Sequence, residues 1–154
     1  MTSDFKKNQR PRDELGRPLP WGAQNRLQIE DYDALPPEED HRLGVENFNR
    51  HNFFAAHEAW ESAWRQVRGS GDEEFFHGLA QLGAGFTHYA RGNPHGAVTL
   101  MRRAVARILP YGRRHMGIDV AALADATESV AAGIDDSRST RHALPVIDYP
   151  RIET

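Results

Sequence analysis

Four breaks divide residues 37–133 into five segments, each long enough for a helix and each carrying apolar residues every three or four positions. Proline or glycine marks three of these breaks, and His51-Asn52 marks the first. The spacing of the apolar residues places their side chains on one face of a helix, whereas a half-buried strand requires alternation with a period of two. No such alternation extends over a useful length. The sequence therefore predicts an all-α fold without a sheet: a compact bundle of about five helices, spanning about residues 37–48, 53–67, 73–91, 94–109 and 120–132.

Short polar side chains and a proline mark where the helices begin. Asp72, Asn93 and Asp119 precede the third, fourth and fifth helices, and we expect each of them to cap the free N–H groups of its helix. Pro37 suits the first turn of the first helix, because a helix start leaves that N–H without a partner in any case. The helix starts are therefore better defined by the sequence than the helix ends.

Two segments without a helical pattern flank the bundle. Residues 1–36 are rich in proline, which predicts an irregular N-terminal arm that Trp21 and Tyr32 hold against the body. Residues 134–154 predict an extended C-terminal tail that packs on the bundle through the apolar stretch 143–147. The expected organisation is an arm at 1–36, a helical bundle at 37–133 and a tail at 134–154.

Composition excludes several classes of function. The 154 residues include no cysteine, so disulfides, thiolate zinc sites and cysteine nucleophiles are excluded. A net charge of −3 argues against a nucleic-acid partner, despite the arginines of the fourth helix. The chain has neither a leader-like apolar stretch near its start nor an apolar run of about 20 residues, so we expect a cytoplasmic protein without a membrane partner.

One polar pair stands inside an aromatic stripe. His57 and Glu61 are four residues apart, so they share a helix face with Phe53, Trp60 and Trp64. A buried imidazole or carboxylate is costly unless it is hydrogen-bonded, paired or bound to a metal. We therefore expect another element to meet this pair, while Trp60 and Trp64 belong to the core.

The third predicted helix offers the partners. One of its faces is apolar, and the other carries His77, Gln81 and His88. Glycines flank that polar stripe, and several glycines in one helix indicate the close approach of a neighbouring backbone. The third helix is therefore expected to be central, with its polar stripe facing His57 and Glu61.

The functional interpretation of this arrangement is a metal site. His57, Glu61 and His88 would bind a divalent ion such as zinc, manganese or iron, since two imidazoles and a carboxylate form an open ligand set. Gln81 would be a weak ligand or, like His77, a hydrogen-bond partner of the ligands. Glu58 directly follows His57, as the general base does in the HExxH layout, and is the candidate catalytic residue.

Two blocks of the sequence resemble the domain of unknown function 309 family. The first block is FNRHNFFAAHEAWESAW at residues 48–64. The second comprises Gly78-Leu79-Ala80-Gln81, Ala84, His88, Gly92-Asn93 and Gly96-Ala97. The resemblance implies a small helical fold and a metal-dependent hydrolase, with His57, Glu58, Glu61, Gln81 and His88 at matching positions. His51 stands where the family usually has glycine, Ala55 where it usually has glutamate and His77 where glutamine is common, which implies a weaker site if that glutamate is a ligand.

Two hypotheses from different classes remain open at this point. The first is a metal-dependent hydrolase that acts on a small-molecule substrate. The second is a non-catalytic helical interaction module, for example a homodimer, in which the polar cluster only fixes the helix register.

Overall fold

The structure is a computed structural model that describes residues 10–27, 29–139 and 147–154. Over these ranges it contains five α-helices, which confirms the predicted all-α bundle: α1 (Pro37–Asn49), α2 (Phe53–Gln66), α3 (Glu73–Ala90), α4 (Pro94–Ile108) and α5 (Val120–Ser139). Single 3-10 turns lie at Tyr32–Ala34 and Leu109–Tyr111. Two strands of two residues each, β1 (Arg114–His115) and β2 (Ile118–Asp119), form an antiparallel hairpin before α5. The prediction that the fold has no sheet is therefore wrong, because strands this short have no detectable period in the sequence.

Helix α3 lies at the centre of the bundle. It packs against both α2 and α4, while α1 covers α2 and α5 covers α4. Its apolar face is almost completely buried, with Phe75, Phe76, Leu79, Leu82 and Phe86 each at most 1% exposed. Its glycines allow the neighbouring backbones to approach, as the sequence indicated, since Gly83 faces α2 and both Gly78 and Gly85 face α4.

Two of the three predicted helix caps are present. The side chain of Asn93 accepts a hydrogen bond from the N–H of Gly96, and that of Asp119 accepts one from the N–H of Ala122. The prediction for Asp72 is wrong: its side chain caps no N–H, because its carboxylate accepts a hydrogen bond of 2.7 Å from Nε2 of His115 in β1.

Helix α5 is longer than the sequence predicted. Gly133 indicated a stop near Ala132, but the helix continues to Ser139 and so takes in the first residues of the predicted tail. Its continuation buries Ile134 completely, and this core contact offsets the roughly 1 kcal/mol that glycine costs in a helix. Tertiary packing thus overrides the local stop signal.

The N-terminal arm is irregular, as predicted, but it is anchored by other residues than expected. Tyr32 is buried, whereas Trp21 is 68% exposed, so the prediction that Trp21 pins the arm is wrong. Leu27 takes that role and is only 7% exposed. Nε of Arg91, directly after α3, also donates to the carbonyl oxygen of Leu15 at 3.1 Å, which ties the middle of the arm to the bundle.

The described part of the C-terminal tail packs along the bundle. The amide of Asn49 both donates to the carbonyl oxygen of Ile152 and accepts from its N–H, at 3.0 and 2.7 Å. Ile147 and Tyr149 pack against the main core, while residues 143–146 lie outside the described residues. Among the helices of the described ranges, none has the length and apolarity that crossing a bilayer requires.

Candidate functional site

Three potential metal ligands meet on the middle turns of α2. One ligand atom from each of His57, Glu58 and Glu61 lies within 4.8 Å of the other two. In the described part of the chain, no other group of three histidine, aspartate or glutamate side chains meets this condition. All three side chains are partly buried, so the group lies at the margin of the core and not on an open helix face.

The backbone of α3 orients His57. Its Nδ1 lies 2.8 Å from the carbonyl oxygen of Ala80, and because a carbonyl only accepts, Nδ1 carries the proton. Nε2 then faces Glu61, whose carboxylate oxygen is 2.9 Å away. Burial alone lowers the pKa of His57, but its hydrogen bonds to Glu61 and Ala80 outweigh burial, so that the pKa is raised above its usual value.

An ion-pair network extends from Glu61 to the arm. Nη1 of Arg65 donates to Glu61 at 3.0 Å, and Nη2 donates to Asp33 at 2.9 Å. Ser62 also donates to Asp33, at 2.7 Å. The hydrogen bond from His57 lowers the pKa of Glu61, and that from Ser62, with Arg65, lowers the pKa of Asp33. Both carboxylates are therefore ionised near neutral pH.

A buried carboxyl group lies at the other end of this network. Gln66 donates from Nε2 to Ser62 at 3.2 Å and to Asp40 at 2.9 Å. Asp40 is fully buried, and burial raises its pKa to about 7. Its second carboxyl oxygen, Oδ1, has no hydrogen-bond partner among the described residues. Asp40 thus exchanges its proton near neutral pH.

A cavity of about 490 Å³ separates the arm from α2. The arm contributes Arg12, Leu27 and Asp33 to its wall, and α2 contributes Phe54, Glu58 and Arg65. Of the three grouped side chains, Glu58 alone lines this cavity. Burial raises the pKa of Glu58, which brings its proton affinity closer to the neutral range. Glu58 therefore belongs both to the His57 group (His57, Glu58 and Glu61) and to the wall of a cavity large enough for a small ligand.

The structure does not bring His88 into the group. Asn93 accepts from Gly96 with Oδ1, so its Nδ2 is left to donate to Nδ1 of His88, 3.0 Å away. The proton of a neutral His88 therefore resides on Nε2, and neither nitrogen presents a free lone pair to the His57 group. Burial, with Arg91 and His57, lowers the pKa of His88, so it is neutral at physiological pH.

The other residues of the predicted polar stripe also have different partners. Oε1 of Gln81 accepts a hydrogen bond of 3.0 Å from Nε of Arg107 in α4. His77 stacks on Trp64, with ring centroids 4.2 Å apart and an angle of 10° between the planes. Trp60 is fully buried, and Trp64 packs against the core from its edge. Within the described residues, neither Gln81 nor His77 forms a hydrogen bond or ion pair with His57, Glu58 or Glu61.

The residues that the arm contributes to the cavity wall were not predicted from the sequence. Asp33, Arg12 and Leu27 lie in a segment without periodicity, so nothing in the sequence pairs them with α2. Arg65 carried a signal, because it follows Glu61 by four residues, the same interval that separates Glu61 from His57. Polar side chains at four-residue spacing on one helix face predict the observed contacts of Glu61 with His57 and with Arg65.

The family model for a domain of unknown function (DUF309) matches residues 41–100. Residues 41–100 are a DUF309 domain. The matched segment includes α2 and α3 and therefore all three grouped side chains, His57, Glu58 and Glu61. The arm residues of the cavity wall precede the DUF309 match, so the family comparison covers the histidine–carboxylate group but not the opposite wall. No curated protein matches the chain.

Proposed function

We propose that this DUF309 protein is a metal-dependent hydrolase in which His57 and Glu61 hold a divalent cation and Glu58 is the general base. The observation that supports this proposal is the meeting of one imidazole and two carboxylates, one of which, that of Glu58, lines a ligand-sized cavity. Glu58 is assigned the base role because it faces the cavity and because its raised pKa suits proton transfer near neutral pH.

The chemistry of the donor atoms fits a divalent cation. Nitrogen and oxygen ligands suit zinc, manganese and iron, and a metal-binding histidine commonly donates its other N–H to a carbonyl oxygen. His57 does so to Ala80, which leaves Nε2 as the ligand atom. Without a metal, Nε2 donates its proton to Glu61, so cation binding would release a proton. Affinity should accordingly rise with pH.

The cation would polarise a carbonyl or phosphoryl oxygen and lower the pKa of a bound water. Glu58 accepts a proton from the attacking water at its cavity-facing carboxylate and returns it to the leaving group. Arg65 neutralises part of the negative charge of Glu61 and Asp33, which keeps the carboxylates close together. Leu27 and Phe54 contribute apolar surface to this wall.

The assay compares wild-type protein with Glu58→Gln, each loaded with zinc or manganese, on 4-nitrophenyl acetate and 4-nitrophenyl phosphate. The expected result is hydrolysis of at least one ester by the wild type and a loss of about 100-fold or more in the variant, with unchanged metal content. Glu38→Gln, which removes an exposed carboxylate from α1, is the matched control. A Glu58→Gln variant that hydrolyses normally, or one that loses the metal, contradicts the base role.

One observation favours the second hypothesis, a non-catalytic interaction module. Both ring nitrogens of His57 and both oxygens of Glu61 already have protein partners. Such a satisfied cluster can fix the register of α2 against α3 without any metal. In that case His57→Ala should destabilise the fold by several kcal/mol, on the order of a broken buried pair, and zinc should not change the melting temperature of the wild type.

A further inference from the structure

We propose that the cavity between the arm and α2 binds a small organic anion with an apolar body, whose charge is recognised by Arg12 and whose body lies against Phe54 and Trp21. This inference names the substrate class of the proposed hydrolase, and in that respect it rests on the proposed function. Its support comes from the charges and the apolar surface of the cavity wall.

Two of the arginines in the cavity wall have no carboxylate partner among the described residues. Three arginines line the cavity, and Arg65 is paired with Glu61 and Asp33. Arg10 and Arg12 instead donate to the carbonyl oxygens of Leu19 and Gly16, at 2.7 and 2.6 Å, and a neutral carbonyl does not cancel a charge. Across the described ranges, neither guanidinium lies within 4.0 Å of a carboxylate. Such unpaired guanidinium groups are suited to bind carboxylate or phosphate.

The position of Arg12 directs a bound anion toward the candidate site. Its guanidinium lies over the ring of Phe54, 5.1 Å from the ring centroid. Arg12 and Glu58 both line the cavity, Arg12 from the arm and Glu58 from α2. An anion held by Arg12 would therefore place the remainder of a small molecule between Phe54 and Glu58.

Apolar side chains also line the cavity, and one of them is largely exposed. Leu27 and Ile29 line the cavity beside Phe54. Trp21 also lines it, although its side chain is 68% exposed. An exposed indole at a cavity edge provides flat apolar surface that a ligand can cover. This accounts for a tryptophan in the arm that contributes little to anchoring it.

The test measures the binding of three naphthyl probes by titration calorimetry in the presence of a chelator. We expect 2-naphthoate or 2-naphthyl phosphate to bind at least about tenfold more tightly than neutral 2-naphthylmethanol. The naphthoate and phosphate arms also show which anion the cavity prefers. Equal affinity for the neutral and anionic probes would overturn the proposal.

Two variants assign the binding to this cavity. Arg12→Gln should abolish the preference for anions, whereas Arg26→Gln, which removes an exposed charge from the same arm outside the cavity wall, should leave it unchanged. Trp21→Ala is at an exposed position and should weaken all three probes alike. Retention of the anion preference in Arg12→Gln, or unchanged affinities in Trp21→Ala, refutes the placement. Because no metal is present, these outcomes do not depend on cation binding at His57, which metal titration decides separately.

Discussion

Gly83 is a position at which α3 packs closely against the backbone of α2 at the candidate site. A Cβ atom built there would lie 2.8 Å from the backbone nitrogen of His57 and 3.0 Å from its Cα. These atoms belong to the backbone of α2 and cannot rotate away, so Gly83→Ala forces the two helices apart by a few tenths of an ångström. The same displacement would lengthen the hydrogen bond between His57 and Ala80.

The magnitude follows from two opposing terms. Replacing glycine by alanine inside a helix favours folding by roughly 1 kcal/mol, whereas overpacking a tight contact costs about 1–3 kcal/mol. Gly133→Ala in α5 provides the matched control, because a Cβ there meets nothing within 4 Å. We expect Gly133→Ala to stabilise the protein by about 1 kcal/mol and Gly83→Ala to be neutral or to destabilise it by up to about 2 kcal/mol.

Urea unfolding of the wild type and both variants measures the free energies of unfolding directly. The informative quantity is the difference between the two variants, since the change in helix propensity is the same in each and cancels. The expected difference is about 1–3 kcal/mol, with Gly83→Ala the less stable. If Gly83→Ala stabilises the protein as much as Gly133→Ala, the close contact between α2 and α3 is refuted.

Two further substitutions test the interior. Trp60→Ala should lower the free energy of unfolding by about 3–5 kcal/mol, because the indole is fully buried and its N–H donates to Nδ1 of His41. A loss below about 1 kcal/mol in urea unfolding would show that Trp60 is not in the core. Asp40 has a pKa raised to about 7 in the folded state, so ionising it opposes folding, and wild-type stability should fall as the pH rises from about 4 through 7. Across this range, the free energy of unfolding of Asp40→Asn should therefore rise relative to that of the wild type by roughly 1.4 kcal/mol per pH unit. A constant difference between the two proteins would contradict the raised pKa.

The sequence predicted those parts of the structure that depend on local signals. Proline or glycine lies in three of the four breaks between the helices, and the caps at Asn93 and Asp119 are formed by residues within one turn of the helix start. The contact between His57 and Glu61 was predictable for the same reason, because residues four apart on a helix are neighbours whatever surrounds them.

The relative rotation of two helices was not predictable from their sequences. A helical wheel places Gln81 and His88 on one face of α3, but it does not state which part of that face meets α2. In the structure, the flanking glycine stripe makes the contact, through Gly83, because two helices approach most closely where side chains are smallest. Gln81 consequently bonds to Arg107, and His88 bonds to Asn93.

The burial of Asp40 and the position of Asp33 also depend on tertiary structure. Asp40 lies in the first turn of α1, where acids are favoured by the helix dipole and are usually exposed. Contact with Gln66 of α2 buries it, and no local pattern encodes that contact. Asp33 reaches Arg65 from the arm, a segment whose path over the bundle follows no periodic rule.

The binding of a divalent cation by His57 and Glu61 is tested most directly by calorimetric titration of zinc or manganese into protein that has been stripped with a chelator. We expect one saturable site per chain, proton release on binding, and loss of that site in His57→Ala. The control His95→Ala, at an exposed position of α4, should bind the metal as the wild type does. If the wild type shows no saturable site, or if His57→Ala retains it, then the histidine and carboxylates of α2 do not bind a metal.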